Sequence, residues 1–93
     1  MANNLIISYD LNSPGQKYQA VADAIKSLGS WAKVQGSVWY VNSSYSASQA
    51  GDKVYEQMDH NDSLIVVNAS FNDATWWGLS EEVGNHLKRN WHR

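Results

Sequence analysis

The chain has 93 residues, with seven lysines and arginines against nine acids and a net charge of −2. One domain of this size builds a single core of modest stability that a second copy would reinforce, so a homodimer is expected. The absence of cysteine excludes disulfides, thiolate zinc centres and cysteine nucleophiles and fits a reducing, cytoplasmic setting, while the acidic balance excludes capture of a polyanion by the overall field.

Met1 to Asn4 carry no basic segment, and the apolar run that follows is too short for a signal peptide or a membrane helix, so the sequence predicts a soluble protein with no membrane partner. Leu5, Ile6, Ile7, Ser8 and Tyr9 read as a buried strand whose end presents Asp10. A carboxylate there is a candidate catalytic group. Its plainer role is to hydrogen-bond backbone groups of the loop containing Asn12 and Ser13. Ser13-Pro14-Gly15-Gln16 has the form of a capping box with proline at the first helical position. Tyr18, Val21, Ala22, Ile25 and Leu28 follow at helical spacing, and Gly29 is expected to end that helix in a left-handed conformation.

Trp31 to Asn42 alternates around Gln35-Gly36-Ser37 and predicts two antiparallel strands, the second more central. Ser46 and Gln49 repeat the capping pattern ahead of a helix carrying Ala47, Ala50, Val54 and Met58 on one face. Asp59-His60-Asn61-Asp62 then reads as a turn, and Leu64 to Val67 as another buried strand. The order strand, helix, strand, strand, helix, strand predicts an α+β, ferredoxin-like βαββαβ domain with a four-stranded antiparallel sheet and two helices on one face. Residues 1–93 form one domain, with 1–70 as its core and 71–93 as a C-terminal loop and helix. That extra helix starts at Ser80, has Glu81 and Glu82 in its first turn, and carries Val83, Leu87 and Trp91 on one face. It must cover an edge of its own sheet or reach a partner.

Five tryptophans and five tyrosines exceed what so small a core needs, which marks Trp76, Trp77 and Trp91 as interface candidates. Stacking of bases on them is the alternative, weakened by the few cations nearby. Lys88, Arg89, His92 and Arg93 complement the end of a helix rather than form a phosphate track. The Asp59 to Asp62 cluster matches no metal loop, and His86 and His92 lack the spacing of a helical zinc site and read as solvent-exposed. No glycine-rich phosphate loop follows Gly15, and Ser37 lies in a hairpin rather than at a nucleophile elbow. Magnesium takes hard carboxylate oxygens, so a single Asp10 needs help. Two copies of Asp10 across a twofold axis could share one ion.

Two short motifs carry a family resemblance. Tyr9-Asp10 at the end of the first strand and Gln35-Gly36-Ser37-Val38-Trp39 in the hairpin resemble the small CRISPR-associated Cas-two superfamily. They are also similar to its toxin relative, virulence-associated protein D, and the tryptophan-rich C-terminal helix resembles bacterial proteins termed SinR-like. The likeness follows element order over residues 4–68. It implies a ferredoxin-like homodimer that acts as a metal-dependent endonuclease on RNA, less so on DNA, or as a non-catalytic scaffold that binds nucleic acid or a protein partner. By that resemblance paired Asp10 residues hold magnesium, and Tyr9, Lys17, Ser37 and Trp39 contact substrate. Family members place arginines soon after the strand-one Asp, where this chain has Lys17 with Gln16 and Gln19 beside it.

Overall fold

The computed structural model describes residues 2–12, 18–72 and 74–91. They form β1 (Asn3–Asp10), α1 (Tyr18–Lys26), β2 (Gly29–Gln35), β3 (Val38–Ser43), α2 (Ala47–Tyr55), β4 (Ser63–Asn68) and α3 (Glu81–Asn90). The strands build one antiparallel sheet in the order β2-β3-β1-β4, the expected ferredoxin-like arrangement with an added C-terminal helix. The Ser13 to Lys17 segment, with its proposed cap and Lys17, lies outside the described residues, as do His92 and Arg93.

Strand alternation decides which side chains meet which layer. Leu5, Ile7 and Tyr9 of β1 and Trp39 and Val41 of β3 project to one face, where Val21, Ile25, Leu28, Ala50, Val54 and Met58 complete the core. The capping box of α2 forms as its sequence predicts, with Ser46 Oγ accepting from Gln49 N–H and the Gln49 side chain accepting from Ser46 N–H. Ser80 caps α3 by accepting from Val83 N–H.

Gly29 departs from its expected role. It opens β2 rather than ending α1, and its φ is not positive. The reason for glycine is steric: a Cβ there would strike the carbonyl oxygen of Asn42 on the neighbouring strand.

The position of α3 settles the alternative left open by its narrow apolar stripe. It lies on the second face of the sheet, against β2 and β3 of its own chain. Tyr40 is fully buried there, and its hydroxyl is 2.9 Å from Asn4 Oδ1 and 2.8 Å from the carbonyl oxygen of Asn90. Asn42 Nδ2 also donates to that carbonyl, at 2.8 Å. The last carbonyls of a helix lack partners within it, so Tyr40 and Asn42 satisfy an end that would otherwise be orphaned. Leu87 is buried beneath the helix, and Trp91 stacks on Tyr40 with ring centroids 5.4 Å apart. Among the described residues no helix covers β4 on this face, where Ile65 and Val67 are exposed.

Candidate functional site

Asp10 ends β1 opposite Ser63 of β4, and its side chain is exposed. Pairing of Ile6 with Val67, Ser8 with Ile65 and Asp10 with Ser63 puts all six on the second face of the sheet. Ile65 is 60% exposed and Val67 44% exposed, so the carboxylate stands at one end of an apolar strip. A shallow depression of about 170 Å³ runs beside it, between Ser8, Asp10, Ser63 and Ile65.

The bond to the Asn12 backbone considered for Asp10 is made by Asp62, while Ser13 lies outside the described residues. Asp62 is buried; its Oδ1 accepts from Asn12 N–H and its Oδ2 from Asp59 N–H, each at 2.8 Å. Asn12 Nδ2 donates in turn to the Asn61 carbonyl. One carboxylate thereby staples the loop leaving β1 to the turn entering β4. The Asp10 carboxylate makes no hydrogen bond or ion pair to a described residue. Asp59 to Asp62 is the turn its composition predicts, but the clasp made by Asp62 was missed. An aspartate three residues after Asp59, able to accept from the main chain at the start of its own turn, was the only local signal for it.

The other predicted site residues divide between two faces. Tyr9 and Trp39 are 5% and 2% exposed and belong to the core beneath α1 and α2, on the side of the sheet away from Asp10. Ser37 is half-buried in the β2–β3 turn, and its carbonyl accepts from Tyr9 N–H at 3.2 Å, which keeps it at the same end of the sheet as Asp10. Magnesium retains several waters and takes one or two carboxylates, so one Asp10 from each of two copies is a suitable donor set. Within one chain no cluster of three or more His, Cys, Asp or Glu side chains forms among the described residues.

The three tryptophans expected at an interface differ in their surroundings. Trp91 is held within the chain, donating from Nε1 to the Asn72 carbonyl at 2.7 Å besides stacking on Tyr40. Trp76 is half-buried with its indole nitrogen against Gly84 of α3. Trp77 is 84% exposed.

His86 corrects the expectation of a solvent-exposed imidazole. It is half-buried, its Nε2 lies 3.1 Å from Ser30 Oγ, and its ring meets Tyr40 edge-on. Burial first, and the Arg89 guanidinium second, lower its pKa below the ordinary histidine value. Burial raises the phenol of Tyr40 above its usual range, opposed by its hydrogen bond with Asn42.

No protein-family model matches the sequence, and no curated protein matches it at a significant level.

Proposed function

We propose that the chain is a homodimeric Cas-two-like protein acting as a magnesium-dependent endoribonuclease centred on Asp10. One observation supports this reading above the others: Asp10 carries an exposed carboxylate with no bond to a described residue, at the end of an apolar strip made by half-buried Ile6 and exposed Ile65 and Val67. Apolar strips of this kind are commonly covered by a partner. A second copy related by a twofold axis that passes beside Asp10, at that end of the strip, would bring the two carboxylates together. Magnesium held by the pair supplies polarisation of a phosphodiester and a more acidic bound water. The residues of the chain supply the charge of that site, through Asp10, and the apolar surface that excludes water around it, through Ile6, Ile65 and Val67. Tyr9 and Trp39 act in this reading from beneath, by fixing the end of β1, rather than by touching substrate. RNA is placed ahead of DNA by the motif resemblance alone.

A non-catalytic interaction module of the same fold is the second reading, favoured by the exposed ring of Trp77. Labelled RNA and DNA incubated with the purified protein in magnesium, manganese or chelator, beside Asp10→Ala, separate the two. The nuclease reading requires cleavage that chelator abolishes and that falls at least about 100-fold in the variant, a range in keeping with loss of a group that stabilises transition-state charge. Cleavage indifferent to both treatments removes it. Ile65→Glu, assayed by analytical ultracentrifugation, checks the dimer separately: a parent that sediments as a monomer rejects the shared site.

A further inference from the structure

One buried nitrogen in the joint between α3 and the sheet has no partner. His86 places Nε2 3.1 Å from Ser30 Oγ on β2 and sets its ring edge-on to Tyr40 of β3, with centroids 6.0 Å apart. Its Nδ1 is shut off from solvent and meets no hydrogen-bonding atom among the described residues. A neutral imidazole accommodates this by carrying its proton on Nε2, which donates to Ser30 and leaves only a lone pair at Nδ1. An imidazolium has no such arrangement. Both nitrogens then carry protons, and the one at Nδ1 is a buried donor with nothing to receive it.

The groups around the ring do not compensate for an added charge. β2 contributes the Ser30 hydroxyl and β3 the Tyr40 phenol, both neutral. On α3 itself Arg89 follows three residues later, a cation that opposes a second one, and Lys33 of β2 lines the same groove. Glu82, one helical turn before His86, is the acid of that groove among the described residues. It is exposed, where water and salt screen its field.

The pairing register defines what α3 covers. Ala32 of β2, Tyr40 of β3, Ile6 of β1 and Val67 of β4 are cross-strand neighbours in one row on the second face. Ala32 and Tyr40 are buried beneath the helix, Ile6 is half-buried and Val67 is exposed, so the row is shielded at one end and open at the other.

We infer that α3 is an acid-released cover: protonation of His86 favours a state in which the helix has left the sheet and the row from Ala32 to Val67 lies open along its length. Fastenings that do not titrate in this range, from Tyr40 and Asn42 to Asn90 and from Trp91 to Tyr40, oppose opening at every pH. Acid therefore multiplies a small open fraction. With the ordinary histidine value of about 6.5 in the open state, that fraction rises by at most about 30-fold between pH 7.5 and pH 5. The inference is independent of the Asp10 reading, which uses neither His86 nor α3.

The test is amide exchange in the full chain labelled with nitrogen-15, at pH 7.5 and pH 5.0, with rates converted to protection factors so that the intrinsic pH dependence of exchange is removed. Protection from Gly84 to Trp91 should fall by about 10- to 30-fold in acid, through an opening that depends little on urea. β1 should stay at least about tenfold more protected than α3 at both pH values, as local opening requires. His86→Gln keeps a polar side chain with no proton to gain, so its α3 protection should change by less than about twofold. A second reading needs no variant: ring nitrogen spectra of the parent should show the Nε2–H form of His86, titrating below the ordinary histidine value. Constant α3 protection in the parent, an equal fall in His86→Gln, or α3 and β1 exchanging together with the same urea dependence overturns the inference. A His86 ring that titrates at or above the ordinary value also overturns it, whether or not the variant folds.

Discussion

The hydroxyl of Tyr40, on the central strand β3, lies 2.8 Å from the carbonyl oxygen of Asn90 at the end of α3. A phenol has one proton, so it serves Asn90 and Asn4 Oδ1 alternately while Asn42 Nδ2 holds the same Asn90 carbonyl. Fastening of the C-terminal helix therefore depends on polar atoms buried at the sheet surface, where an unmet partner is costly.

Tyr40→Phe should retain the fold and lose about 1–3 kcal/mol, the cost of leaving a buried acceptor unsatisfied. Urea denaturation measures the loss. Amide exchange should accelerate in α3 before it does so in β1. Because burial raises the Tyr40 pKa, the folded state retains this proton more strongly than the unfolded chain. Stability from this group is thus complete below about pH 10 and falls as the pH rises through the folded value.

His86 gives the opposite pH dependence. Its lowered pKa means that the unfolded chain takes up the proton first, so stability is complete above about pH 6.5 and declines as pH falls toward the folded value. Urea midpoints measured from pH 8 to pH 5 should drop for the parent, and His86→Gln should flatten that part of the profile. Identical profiles would show that the imidazole environment has no bearing on folding.

Gly29→Ala should destabilise by about 1–3 kcal/mol or more, as overpacking does, because the new methyl meets the Asn42 backbone rather than a side chain able to rotate. A thermal melt reads this directly. Gly36→Ala is the control, since open space surrounds that position. It should change stability by no more than about 0.5 kcal/mol.

Asp62→Ala should cost about 1–3 kcal/mol, since it leaves two main-chain donors without their acceptor in a partly buried loop. Increased proteolysis between Asp59 and Ser63 should accompany it. Asp10→Ala, two residues from the same staple, should leave the urea midpoint almost unchanged because Asp10 is exposed and bonds to no described residue. The contrast separates a structural aspartate from one available for chemistry.

Features whose causes lie within a few residues were legible in the sequence. Ser46 and Gln49 form their box because both partners sit in one helical turn, and the four strands follow from local apolar patterns, although β4, read as buried, leaves Ile65 and Val67 exposed. Causes acting through space were not legible. Gly29 resembles a helix terminator until Asn42 is brought beside it, and nothing near Asp62 in sequence announces Asn12. The docking of α3 depends on Tyr40 and Asn42, which sit on a strand about fifty residues earlier. For the candidate site the information was partly present: alternation along Ile7, Ser8, Tyr9 and Asp10 already directs the tyrosine and the aspartate to opposite faces. The motif resemblance grouped them by adjacency, whereas a pleated strand separates neighbours.

The bond from Trp91 to Asn72 returns the end of the chain to the point where it departs from the sheet. Residues 72 and 91 act as the two ends of a clasp, and the stretch they enclose is tethered at its base as well as along α3. A clasped segment tends to detach as one unit rather than peel gradually from its tip. Truncation before Trp91 would open that ring and strip the cover from Tyr40 in the same step.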